Sequence, residues 1–104
     1  DIAVVSTNDR QLVRFALYPS FSNPFNTQTT IQFEIAESVH AELLIYDILG
    51  QQVRRLLEGD LTPGYYQQVW DGRNDRGQDV ATGVYLLQLQ AGKFNATDRL
   101  LLLR

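Results

Sequence analysis

From Thr29 onward the chain alternates apolar and polar residues with a period of two, and breaks that alternation at short intervals with Gly, Pro, Asn and Asp. Ile31, Phe33 and Ile35 fall on one face and Gln32 and Glu34 on the other. Ala41, Leu43 and Ile45 then oppose Glu42, Leu44 and Tyr46. Residues two apart share a side only on an extended strand, so this pattern excludes an amphipathic helix. The interruptions are turn chemistry. Glu37-Ser38, Asp47 to Gly50, Thr62-Pro63-Gly64, Asp71-Gly72 and Gly92-Lys93 each separate two apolar runs. Gly50 can close a tight hairpin at positive φ without a Cβ clash. The expected strands are Leu12–Tyr18, Thr29–Ile35, Ala41–Tyr46, Gln51–Glu58, Tyr65–Trp70, Gly83–Ala91 and Phe94–Leu103. In the fourth of these, Val53, Leu56 and Leu57 do not share a face, so a bulge or a strand end is expected near Arg55. The fold class that follows is all-β, an antiparallel sandwich of about seven strands.

At 104 residues the chain is one domain, able to bury roughly two-thirds of its unfolded surface. Residues 1–11 are expected to be a linker or domain boundary and residues 12–104 the domain. The net charge of -3, with Arg54-Arg55 as the only adjacent basic pair, argues against nucleic acid. There is no Cys, so burial rather than cross-linking must hold the fold. No apolar run approaches the roughly 20 residues of a membrane helix. Met is absent and residue 1 is Asp, so the chain is expected to be a piece of something longer.

Chemistry-bearing clusters are sparse. His40 is the single histidine, so a histidine-rich metal site is excluded and a catalytic triad would have to be built around it; its place on the outward side of a strand favours plain exposure. Asp71, Asn74, Asp75 and Asp79 place oxygen donors around Gly77 and could wrap Ca²⁺. Against that, Arg73 and Arg76 put positive charge inside the cage, and Asp and Asn cap turns through their own backbone. No cofactor is implied. Tyr66 and Trp70 share a strand face and Tyr65 takes the other. Exposed rings could stack on a sugar, whereas a lone Trp in a small sandwich anchors the core, with Tyr65 the better candidate for exposure. The tail Arg99-Leu100-Leu101-Leu102-Leu103-Arg104 is either a strand covered on both faces or an edge strand whose apolar stripe a receptor binds.

Taken in order, Tyr18-Pro19, Asn23-Pro24-Phe25-Asn26, Thr29 to Phe33, Tyr46-Asp47 with Gly50, Trp70-Asp71-Gly72, Gly83-Val84-Tyr85 and Arg99 to Arg104 resemble one family. It is the C-terminal sorting domain of cargo exported by the type IX (Por) secretion system, related to the immunoglobulin-like domain of flagellar hook-capping proteins. Ser20-Phe21-Ser22 lengthens the first loop relative to that pattern. Gln68 stands at a usually apolar position, and Arg99 at a common Lys. The resemblance implies an immunoglobulin-like sandwich with no chemistry of its own. It would be an address label on a larger secreted protein, read by the export machinery and a sortase-like peptidase at the outer membrane. The setting implied is the surface or surroundings of a Gram-negative bacterium. Recognition would fall on Gly83, Tyr85, Arg99, Leu101, Leu103 and Arg104. Asn23, Pro24, Phe25, Gly50, Trp70, Asp71, Gly72 and Gly77 would be turn and core residues. Two rival readings stay open, a carbohydrate-binding accessory module and a hook-cap-like assembly domain. A leucine edge could also pair two copies through their last strands.

Overall fold

The computed structural model describes residues 14–104, and within them the chain is all-β. Seven strands follow in order: β1 (Ala16–Leu17), β2 (Thr29–Ile35), β3 (Val39–Tyr46), β4 (Gln52–Leu61), β5 (Gly64–Trp70), β6 (Gly83–Ala91) and β7 (Phe94–Leu102). A three-stranded sheet, β1-β2-β5, packs on a four-stranded sheet, β4-β3-β6-β7. All pairings between the strands are antiparallel. The expected linker, together with Leu12 and Val13 of the first expected strand, lies outside the described residues. The ladder of β1 is two residues long, shorter than the alternation suggests, because Pro19 ends it. A second contact with β2 resumes only at Phe21, which exchanges backbone bonds with Thr30. At the other extreme β4 runs past Glu58 to Leu61, because Val39 and His40 supply partners for Leu61 and Asp60.

Alternation decides what is buried. Ile31, Phe33, Ile35, Ala41, Leu43, Ile45, Leu87, Leu89 and Ala91 are solvent-free and face one another across the sandwich. The expected irregularity in β4 is present. The β3–β4 register slips between Leu43 and Leu44 and again between Ile45 and Tyr46. Each slip admits one unpaired residue, which lets Val53, Leu56 and Leu57 all lean on the core without a common period. Gln68 keeps the β5 register with Ile31 and points inward at half exposure.

The leucine run resolves into two faces. Leu100 and Leu102 are fully buried, Leu101 is half-buried and Leu103 is 46% exposed. β7 is the last strand of its sheet, so its outer backbone groups require partners or water. The Asn23-Pro24-Phe25 segment supplies them. Asn23 Nδ2 donates to Arg99 O at 2.7 Å, and its Oδ1 accepts from Leu101 N–H at 3.0 Å. Phe25 N–H donates to Leu101 O at 3.0 Å, and Phe25 O accepts from Leu103 N–H at 2.8 Å. The Asn23 side chain therefore acts as an eighth-strand peptide group, and Phe25 continues the ladder in parallel with Leu102. Edge pairing of two copies over 99–103 would have to displace this cover.

Replacing Asn23 by Ala removes two of these four bonds. Water can partly replace them, so Asn23→Ala is expected to cost about 1–2 kcal/mol in urea denaturation. The exposed control Gln90→Ala should change stability by less than about 0.5 kcal/mol. Equal effects of the two would contradict the role given to Asn23.

Candidate functional site

The motif residues that are far apart in sequence meet at one end of the sandwich. β2 begins there opposite Trp70, β3 and β6 meet there at Tyr46 and Leu86, and β7 ends there. The end is built on an aromatic stack. Trp70 is fully buried between Phe25 (centroids 5.6 Å, tilted) and Tyr85 (5.3 Å, edge-on). Contacts of this kind contribute about 0.5–1.5 kcal/mol each beyond area burial. Their polar atoms are satisfied locally. Trp70 Nε1–H donates to Arg73 O at 2.9 Å, and the Tyr85 hydroxyl donates to Ala81 O at 2.6 Å. Burial, with Asp47 nearby, raises the Tyr85 phenol above its ordinary value, which keeps it a neutral donor. Both bonds fasten the 71–82 loop to the core.

The same loop is held from its other side. Asp75 Oδ1 accepts from Arg55 N–H at 2.8 Å, and Asp75 N–H donates to Val53 O at 2.9 Å. These bonds cover the open edge of β4 where its register slips. The Arg55 N–H, aided by the Gln52 amide, holds the Asp75 carboxyl below its usual value. Asp71 accepts from Arg54 and from Arg73 N–H, Asn74 Oδ1 accepts from Arg76 and Gln78 N–H, and Asp79 meets Arg73. The four oxygen-bearing residues considered for Ca²⁺ thus turn to separate donors. Among the described residues no three His, Asp or Glu side chains converge on a metal position.

The residues implied in recognition divide into three groups. Arg99 and Leu101 lie outward beside Val84 and, with Asn23, Pro24 and Asp98, line a shallow groove of about 400 Å³. Leu103 lies on the opposite side of the Pro24 ridge, in a groove of about 630 Å³ shared with Phe21, Pro24 and Phe25. Gly83 and Tyr85 belong to the framework: Gly83 pairs with Leu102, and Tyr85 is 7% exposed beneath the surface. Arg104 turns back onto the 71–82 loop. Its N–H donates to Thr82 Oγ1 at 2.8 Å and its Nε–H to Val80 O at 2.7 Å, while Nη2 reaches Gly72 O. Its guanidinium is a staple between β7 and that loop. Exposed apolar side chains gather at the same end, with Ile48 and Leu49 at the hairpin tip and Val84 and Leu86 on the outer sheet face. Ile48, Leu49, Val84 and Leu86 were not singled out from the sequence. For Val84 and Leu86 the signal is the same alternation, extended to the face away from the core, whereas Ile48 and Leu49 are consecutive residues of the 47–50 turn.

His40 is exposed, and lies between two carboxylates of β4, Glu58 at 3.3 Å and Asp60 at 3.1 Å. Asp60, then Glu58, raise its pKa above the ordinary 6.5. The folded state therefore favours the protonated ring. Its stabilising contribution is complete below about 6.5 and is lost as pH rises through the higher folded value. The pH dependence of thermal stability above about 6.5 should be shallower in His40→Gln. Unchanged slopes would remove His40 from that dependence. At Gly72, φ is +72° and an added Cβ would sit 2.7 Å from Arg104 Nη2. Gly72→Ala should cost about 1–3 kcal/mol and free the Arg104 side chain, detectable by denaturation and by loss of the Arg104 Nε–H signal in NMR.

A family model described as the FlgD Ig-like domain matches residues 20–94, well over half of the chain. Solved structures that share the fold include two from one organism. One is latent PorU from Porphyromonas gingivalis, described as dimeric, with a TM-score of 0.64 and 17% identity over 86% of this chain. The other is PorZ from the same organism, described as an essential surface component of the type-IX secretion system, with a TM-score of 0.55 and 22% identity over 86% of this chain. The chain spans 9% of the first structure and 12% of the second. No match was found among curated proteins.

Proposed function

We propose that this chain, which belongs to the FlgD Ig-like domain family, is the non-catalytic recognition domain at the C-terminal side of a larger secreted protein. It directs that protein across the outer membrane and to the cell surface by a type IX route. One observation carries the reading. The dispersed motifs build a single end of the sandwich, whose outward side chains include Arg99, Leu101 and Leu103 around the Pro24 ridge. Arg99 set beside Asp98 and the apolar Val84 and Leu101, on a backbone whose own bonds are complete, suits protein recognition through side chains. The fold shared with two Porphyromonas gingivalis proteins, one named as part of that secretion system, supports the setting.

In this proposal the export machinery reads Arg99, Leu101 and Leu103, and a sortase-like peptidase acts on the exported cargo. Tyr85, Gly83 and Arg104 act one step back, by holding those three in place. Of the rival readings, glycan binding would fall on a separate groove of about 510 Å³ lined by Tyr18, Phe33, Tyr65 and Tyr66, and hook-cap-like assembly rests on the family match alone.

The test is a reporter fusion. The chain is placed behind a signal peptide and a fluorescent protein in a host with an active type IX system and in an otherwise identical secretion-null strain. Fluorescence at the surface or in the medium of the active host alone is expected. An Arg99→Ala/Leu101→Ser/Leu103→Ser variant, folded by circular dichroism, should reduce that signal by about tenfold or more, the scale expected when central contact residues are lost. Export of the variant at the parental level would move recognition elsewhere, and retention of both fusions in both hosts would reject the sorting role.

A further inference from the structure

The two sheets have four edges, and three of them are blunted. The β1 strand is two residues long. The outer side of β7 is occupied by Asn23 and Phe25. The β4 edge carries Arg54, Arg55, Glu58 and Asp60 and is partly covered by Asp75. The fourth edge, β5, reads Gly64-Tyr65-Tyr66-Gln67-Gln68-Val69-Trp70, seven residues with no charge and no proline. Long uncharged edges are templates for pairing with another strand.

Hydrogen-bond phase identifies which β5 groups are available. Tyr18 N–H donates to Gln32 O, and Thr30 exchanges bonds with Phe21, so Thr30 and Gln32 direct their backbones toward β1. Ile31 and Phe33 therefore face β5, where they meet Gln68 and Tyr66. It follows that Tyr65, Gln67 and Val69 direct their N–H and C=O groups away from the sheet. Among the described residues no loop or side-chain hydrogen bond reaches those groups. The side chains of the same three residues point outward, Tyr65 73% and Val69 42% exposed.

We infer that β5 pairs antiparallel with β5 of a second copy of this chain, about a two-fold axis at Gln67. The strand is self-complementary about that residue. Gln67 meets its own counterpart amide to amide, and Tyr65 lies opposite Val69 of the second copy, an aromatic on a β-branched residue at each end. Each of these three positions is a hydrogen-bonded pair that exchanges two bonds. The two three-stranded sheets become one continuous sheet in the order β1-β2-β5-β5-β2-β1. No like charges oppose each other along the seam, in spite of the net charge of -3 on each copy. The seam leaves Arg99, Leu101 and Leu103 uncovered, since the first two belong to β7 at the far edge of the other sheet and Leu103 follows it directly. The inference therefore stands apart from the sorting role.

The test uses the whole chain. Sedimentation from about 1 µM to about 1 mM should show conversion of the 11.9 kDa monomer into a species of twice that mass. Gln67→Lys places two ammonium groups face to face and should weaken association by about tenfold or more, while the monomer keeps its circular dichroism spectrum. The chain has no Cys, so a single Gln67→Cys substitution can cross-link only between copies. The expected Cα separation of about 5.5 Å in such a pair suits a disulfide. Oxidation should trap a Gln67→Cys dimer faster than a control Gln90→Cys on the outer face of β6. A chain that stays monomeric throughout, a dimer indifferent to Gln67→Lys, or equal cross-linking at the two sites would each overturn the proposal.

Discussion

A strand at the end of a sheet must satisfy its outer peptide groups, and at β7 that demand organises one end of the molecule. A second strand would meet it, but the chain uses a side chain and one backbone residue. The Asn23 carboxamide has the donor and acceptor of a peptide group, so it spans Arg99 O and Leu101 N–H as a neighbouring strand would. Phe25 then takes Leu101 O and Leu103 N–H. With Phe25 placed by its backbone, its ring is committed to Trp70, and Trp70 in turn to Tyr85.

The rest of that end follows from the same commitment. Trp70 and Tyr85 hold the 71–82 loop through Arg73 O and Ala81 O. Arg104, at the end of β7, closes the circuit by donating to Val80 and Thr82. Ser20 extends it outward by donating its N–H and hydroxyl to Asp98. Segments separated by tens of residues are thereby fixed relative to one another. The outward groups Arg99, Leu101 and Leu103 become a surface of defined shape, as the proposed recognition role requires. The pieces reinforce one another, so deletion of one is expected to loosen the others beyond its own bonds.

Much of the architecture is legible in the alternation. Ile31, Phe33 and Ile35 read as an inner face, and they are one. Trp70 reads as a core anchor and Tyr65 as exposed, and burial agrees with both. The irregularity in β4 is legible from Val53, Leu56 and Leu57 breaking period, and the structure decides for slips within a continuous strand over a strand end. Three features are not legible, for physical reasons. The four leucines of the tail hide their alternation because both faces carry the same residue. Asn23 reads as a turn residue because its partners lie 76 and 78 positions away, and no local pattern encodes so distant a bond. Arg104 reads as a recognition residue because its charge is visible in sequence, whereas the carbonyls that receive it come from a loop whose path depends on Trp70 and Tyr85.

Amide hydrogen exchange at Leu101 and Leu103 tests the central claim most directly. Both amides point to the open side of an edge strand, where unpaired N–H groups exchange at nearly the rate of an unfolded chain. With Asn23 and Phe25 in place, both should be protected to a degree approaching Leu87 and Leu89 of the interior strand β6. In Asn23→Ala, protection at Leu101 should fall first, with Leu87 and Leu89 little affected. Fast exchange at Leu101 and Leu103 in the parent chain, with β6 fully protected, would show that the edge is open and would contradict the account.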